Sequence, residues 1–324
     1  MRRRCRKAAR ICLKEIWMKP ALLILLLAVS ACAGELSGYK FIWISARTGD
    51  SELYLVDGDN GNLTNLSLTP NASERYPAWS WDGRKIAFNS DRDGAHNLYV
   101  MDADGRNLKQ LTHEVKPAQT GMMSWTADGK WIYFGIFGKG PAQMCRIHPD
   151  GTGFEMVALG TDPAISPDGQ TMVYAKNDRQ GHYVYAADAD GKNERQLTKE
   201  PNAFAGVHAA WTPDSRRIIY GDRVGEAEEL FTSDADGANR KQLTFLKQAA
   251  TSPTVSPDGK WISFRLCDEV YWRNSERSRL AYAEHRADKR PVWIMGIDGS
   301  NPHVIELMHW DTTIDGSRAP ITLK

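Results

Sequence analysis

The chain has 324 residues, with 41 Lys/Arg against 40 Asp/Glu and five cysteines. The first 33 residues hold eight Lys/Arg and one Glu, so the remainder carries 33 basic and 39 acidic residues, a net charge of −6. Nucleic-acid binding, which needs a basic face, is not expected. Only Cys145 and Cys267 lie in the body, too few for a disulfide-stapled scaffold.

Residues 1–33 read as a targeting segment: a basic start, an apolar stretch from Ala21 to Ala28, then Val29-Ser30-Ala31-Cys32. The apolar core is too short for a transmembrane helix. Val-Ser-Ala-Cys resembles the bacterial lipobox, which would make Cys32 a lipidated mature N-terminus. An ordinary cut after Ala31-Cys32-Ala33 is the alternative, and Met18-Lys19-Pro20 would open a compact signal by itself. Either way the chain is expected to be exported, to the periplasm or cell envelope.

From residue 39 a cassette repeats. Lys40–Ser45 and Leu53–Asp57 align with Lys85–Ser90 and Leu98–Asp102 of the clearest copy, which begins at Pro77 and ends in Gln110-Leu111-Thr112. Later copies begin at Ser124, Pro163, Ala209 and Pro253, and the first turn recurs at Asp82, Asp128, Asp168, Asp214 and Asp258. Each copy offers an alternating strand such as Lys85–Phe88, a turn read as a two-residue Asp-Gly hairpin, and further strands around a second turn. A period near forty with about four strands per unit predicts an all-β fold, a β-propeller. The first copy lacks its first strand, while Trp310–Arg318 ends in Ile-Asp-Gly-Ser-Arg. The expectation is a six-bladed propeller over 39–324, closed three-plus-one when this C-terminal segment becomes the innermost strand of the first blade. Such closure leaves no strand edge open at the join.

Strand direction sorts the loops onto two faces. One carries the monotonous Asp-Gly turns. The other carries the irregular loops 113–120, 135–142, 199–207 and 245–251, and binding is expected there. The sixth copy departs most, with an insertion at 266–290. Within it Ser275–Asp288 suits a helix, and Arg265, Arg273, Arg277, Arg279, Arg286, Lys289 and Arg290 make the region basic. It reads as a solvated helix laced with ion pairs, or as a lid that binds anions. Tyr271 and Trp272 are candidate anchors for a protein partner.

Alignment on the first turn places Tyr76, Met122, Asp162, His208, Ser252 and His309 at one position, where each innermost strand enters the channel from the irregular face. Tyr76, Asp162, His208 and His309 are therefore candidate binding residues. Asp162, His208 and His309 could hold a divalent metal or act as acid and base; the alternative is a polar mouth that binds only water. His96, His113, His148, His182 and His303 read as surface or turn residues. The Asp-Ala-Asp-Gly runs at Asp102, Asp188 and Asp234 lack the further acidic ligand of a calcium loop. No nucleophile elbow, phosphate loop or paired-Cys metal motif is found. Cys145 and Cys267 fall on opposite sides of the ring, so no bridge between them is expected.

Trp211-Thr-Pro-Asp, Ile165-Ser-Pro-Asp-Gly, Val255-Ser-Pro-Asp-Gly and the Asp-Ala-Asp-Gly…Gln-Leu-Thr endings resemble the propeller repeats of the TolB family across 39–324. The N-terminal α/β domain of TolB itself has no counterpart in the expected layout. Similar propellers form the non-catalytic part of prolyl-oligopeptidase-type enzymes, and the fold of oligogalacturonate lyases, which hold manganese at a His-rich channel site. Only His208 and His309 could be offered for such a site. The leading expectation is a monomeric envelope scaffold that binds a protein or glycan partner and needs no cofactor. The alternative is a metal-dependent lyase acting on uronate sugars.

Overall fold

A computed structural model describes residues 37–45, 49–59, 62–116, 118–177, 182–199, 208–225, 227–267 and 292–304. Among these residues every regular element is a strand. The first sheet has three strands, β1 (Lys40–Ser45), β2 (Glu52–Asp57) and β3 (Leu63–Asn65). The second has β4 (Glu74–Trp79), β5 (Lys85–Ser90), β6 (Asn97–Asp102) and β7 (Lys109–Gln110). The third is β8 (Gln119–Trp125), β9 (Ile132–Phe137), β10 (Gln143–Ile147) and β11 (Glu155–Leu159). The fourth is β12 (Thr161–Ile165), β13 (Thr171–Asn177), β14 (His182–Asp188) and β15 (Arg195–Gln196).

The last two cassettes join into one eight-stranded sheet. β16 (Ala210–Trp211), β17 (Arg217–Val224), β18 (Ala227–Asp234) and β19 (Lys241–Gln242) meet β20 (Ala249–Val255), β21 (Trp261–Cys267), β22 (Val292–Gly296) and β23 (His303–Val304). A parallel contact, Glu228 opposite Ala249, makes the junction. Within each cassette neighbouring strands are antiparallel.

The alternation expected over Lys85–Phe88 is absent: in β5 all five residues after Lys85 are buried. The reason is stacking. Ile86 and Phe88 pack with Ile42, Leu53 and Leu66 of the first sheet, while Ala87 packs with Met123, Trp125 and Phe134 of the third. Further clusters join the third sheet to the fourth, the fourth to β16–β18, and β17–β18 to β20–β22. One more unites Tyr39, Phe41, Tyr54 and Val56 of the first sheet with Val292 and Ile294 of β22, so apolar burial links the two ends of the described chain.

The turns also differ from the expected two-residue hairpins. Ser80 N–H bonds to Lys85 O and Gly83 N–H to Ser80 O, while Gly83 stands at φ 66°. This is a tight turn closed by one left-handed glycine, so a single residue per turn needs the positive φ. The Ser80 hydroxyl donates to Asp82 Oδ1 at 2.6 Å and accepts from Lys85 N–H, and the same carboxylate accepts from Arg84 N–H. Thr126/Asp128, Ser166/Asp168, Thr212/Asp214 and Ser256/Asp258 repeat this cage. In the turn at Asp214, Ser215 replaces glycine at φ 61°.

The Gln-Leu-Thr ending has a comparable logic. Thr112, Thr198 and Thr244 accept from the backbone N–H of Leu98, Val184 and Leu230 through Oγ1. Gln110, Gln196 and Gln242 donate to the carbonyl of the same threonine. Leu243 meets the second turn of the next cassette, where a Cβ on Gly299 would stand 2.7 Å from its carbonyl; only glycine fits. Indoles add a lock between sheets: Trp125 Nε1 donates to Ala78 O at 3.1 Å and Trp211 Nε1 to Ala164 O at 2.8 Å.

Candidate functional site

Turn-to-turn contacts fix which loops share a face. Ala127 N–H donates to Pro167 O, and Asp168 N–H to the Ser215 hydroxyl at 2.9 Å, so the Asp-Gly turns of successive sheets lie side by side. The loops between second and third strands, and between cassettes, occupy the opposite face. Large apolar side chains stand open there, in the loops of different cassettes: Leu68 (73% exposed), Val115 (70%), Phe245 (72%) and Val224.

The aligned ring has a backbone signature that sequence did not disclose. Tyr76, Met122, Asp162 and Ser252 all adopt positive φ, between 51° and 56°. At each, the ladder between first and second strand breaks: between Arg75 and Ala78, Gly121 and Ser124, Thr161 and Ala164, and Thr251 and Thr254. Tyr76, Asp162 and Ser252 precede prolines, which restricts their backbones further. A left-handed, bulged non-glycine residue costs on the order of 1–3 kcal/mol, and bulges gather at rims and beside binding sites. The strain recurs at one level of the innermost strands in at least four cassettes.

Of the ring's polar members, Asp162 and His208 come together. Their side chains are 6% and 5% exposed, with Nδ1 4.0 Å from Oδ2. The pair spans the fourth sheet and the residues entering β16. Tyr76 instead packs into the seam with the third sheet: a Cβ on Gly121 would lie 3.1 Å from its ring and 2.9 Å from Phe137. Ser252 is buried. Cys32, His309, Tyr271, Trp272, Arg273, Arg277, Arg279 and Arg286 lie outside the described residues, as do most of the insertion at 266–290 and the closing segment. Among the described residues no group of three His, Cys, Asp or Glu could hold a metal ion, and no helix is long and apolar enough to cross a membrane.

Two burials on this face escaped the sequence. Arg265, counted with the basic residues around the insertion, is only 5% exposed on β21, opposite Thr251 of the bulged strand. Glu228 is 2% exposed, and its Oε2 has no hydrogen-bond partner among the described residues. Burial, aided by the charge of Asp222, pushes its carboxyl up to about 8. Its room comes from Gly221, where a Cβ would stand 2.4 Å from Glu228 Oε1. Elsewhere His148 stacks on Trp131 at 3.7 Å, and His96 is half-buried 3.9 Å from Asp91, not on the open surface. Cys145 is free and buried, and desolvation pushes its thiol up to about 11, so it is a poor nucleophile.

Known proteins fit this geometry. An uncharacterized protein of Agrobacterium fabrum is 28% identical over 134 residues, which is 40% of this chain and 44% of that relative. The chain thus matches less than half the length of that relative. A solved structure described as a TolB candidate from Agrobacterium tumefaciens superposes with a TM-score of 0.60 at 17% identity, covering 88% of this chain and 98% of that one. An oligogalacturonate lyase in complex with manganese gives 0.57 at 13% identity, covering 84% and 74%. At these identities the likeness speaks for the fold. The family model of the TolB beta propeller domain matches residues 36–257, and the chain belongs to that family.

Proposed function

We propose that this chain is an exported six-bladed propeller, anchored through Cys32, that binds a protein partner on its irregular face. One observation carries the binding reading. The irregular face combines Leu68, Val115, Val224 and Phe245 with a strained ring, whereas the opposite face satisfies its polar groups inside its own turns. Apolar groups set around a polar mouth suit a partner that brings apolar anchors.

The closure has support in a buried indole. Among the described residues Trp79 Nε1 has no hydrogen-bond partner, although its counterparts Trp125 and Trp211 donate to the innermost strand of the preceding cassette. For Trp79 that strand would be 308–318, and the matching acceptor would be the carbonyl of Asp311. The packing of Tyr39 and Phe41 on Val292 and Ile294 favours the same join.

Photocrosslinking residues incorporated at Phe245 and at Arg84 in living cells test the binding reading. Adducts with another protein are expected from Phe245 and not from Arg84. The opposite pattern, or none from Phe245, sinks it. A second reading rests on the buried Asp162–His208 pair, which His309 would extend to three metal ligands in a lyase acting on uronate sugars. There, bound divalent metal should survive purification without chelators and disappear in His208→Ala. Metal at background level removes that reading.

A further inference from the structure

The outer edges of the sheets are unequal. β7, β15, β19 and β23 are two residues long, and each carries Lys, Arg or His: Lys109, Arg195, Lys241 and His303. Short, charged outer strands are how sheets avoid pairing with other chains. β11 departs from this pattern in length and in lacking a cation, although it carries Glu155 and a bulge at Val157. It runs five residues, Glu-Met-Val-Ala-Leu, without a basic residue. Met156 (47%) and Leu159 (49%) on it, and Phe154 (54%) just before it, are exposed. Three of the nine large apolar side chains exposed among the described residues thus fall in six consecutive positions. β11 is also held firmly. It pairs with β10 at both ends, Arg146 opposite Glu155 and Gln143 opposite Leu159, while the bulged Val157 rests under Gly191 of the fourth sheet.

We propose that β11 is a self-association edge, paired antiparallel with β11 of a second copy about a two-fold axis. The charge pattern selects this occupant. With the axis between Met156 and Val157, Phe154 faces Leu159 of the second copy and Glu155 faces Ala158, while Val157 stays packed toward the fourth sheet. Apolar side chains therefore meet, and the one acidic residue never meets its own copy. Glu155 meanwhile keeps Arg146, 2.7 Å away in its own sheet. An outer strand lies at the rim of the propeller, so two copies meet there without involving either turn face. The monomer expected from the sequence would then hold only at low concentration.

Sedimentation velocity of the full chain across a concentration series provides the test, with Met156→Lys/Leu159→Lys as the variant. Wild-type mass should climb from the single-chain value toward twice that value. The variant, which places a cation opposite each apolar partner, should remain at the single-chain mass with self-association weakened at least ~100-fold. Identical melting curves would show that both proteins are folded. A wild type that stays single at every concentration overturns the proposal. So does a dimer that the double substitution leaves intact, since its interface would then lie elsewhere.

Discussion

The two faces of this propeller solve the same problem, the ends of strands, by opposite means. On the Asp-Gly face each end is finished by residues within five positions of one another: a hydroxyl, a carboxylate and one left-handed residue. On the irregular face, groups are matched across sheets and some are matched poorly. Asp162 meets His208 from the next cassette, and Glu228 is buried with an oxygen unpartnered among the described residues. Local completion leaves nothing to offer a ligand. Non-local completion leaves strain, buried charge and exposed apolar groups, which a partner could exploit.

Acid and base should therefore attack different faces. Glu228 has a folded-state value raised to about 8, so the native chain binds a proton that the unfolded chain releases above about 4.5. Stability is full below that value and is lost as pH climbs from about 4.5 to 8. Removing the charge while keeping the shape should reverse the loss. Glu228→Gln is expected to raise the melting point at pH 8, by an amount equivalent to a few kcal/mol, and to match wild type near pH 4.5. Thermal melts across that range check it. A gap that does not change with pH would mean that Glu228 is not protonated in the fold.

The carboxylates of the opposite face behave the other way. Hydrogen bonds lower Asp82, led by the Ser80 hydroxyl, and Asp214, led by Thr212. Their stabilisation is present above the ordinary carboxylate value and fades as pH falls through the lowered one. Asp258 is the strongest case. Burial, the largest influence, raises it, but bonds from Tyr39, Ser256 and Lys260 together outweigh that and hold it far below the usual range. Tyr39 donates to it at 2.7 Å from across the seam between first and last cassettes. Asp258→Ala should cost roughly 2 kcal/mol, against about 1 for Asp82→Ala, which loses only local bonds. Equal losses in denaturant melts would show that the Tyr39 bond carries nothing across the seam.

The same contrast explains what could be read in advance. The cassette, the turn positions and the Gln-Leu-Thr endings were legible because their bonds join residues close in sequence. Alignment also placed Tyr76, Met122, Asp162 and Ser252 at one level, since periodicity carries position. It could not give their left-handed backbone: φ there is set by the ladder break and by the sheet packed alongside. Alignment grouped Asp162 and His208 at one mouth, with His309, without foreseeing that the two would pair. The burial of Glu228 was not legible, because it depends on Gly221 across a hairpin and on β20 of the next cassette. The strand alternation expected for Lys85–Phe88 failed for a related reason, since a sheet stacked on both sides buries both of its faces.

The smallest test falls where the regular face breaks its own rule. Ser215 occupies the slot that Gly83, Gly129, Gly169 and Gly259 fill in the other turns, at φ 61°. A side chain there should cost about 1 kcal/mol. The hydroxyl offsets this by accepting the Asp168 N–H at 2.9 Å, which ties the turns of two cassettes together. Such a bond contributes about 1 kcal/mol. Ser215→Gly relieves the backbone and loses the bond, so its melt should lie close to wild type. Ser215→Ala keeps the strain and loses the bond, so it should fall by about 1 kcal/mol. The order of the two variants is what decides. If alanine is tolerated as well as glycine, the serine carries no cross-sheet bond. If glycine is clearly the more stable protein, the strain at this turn exceeds what the hydroxyl offsets.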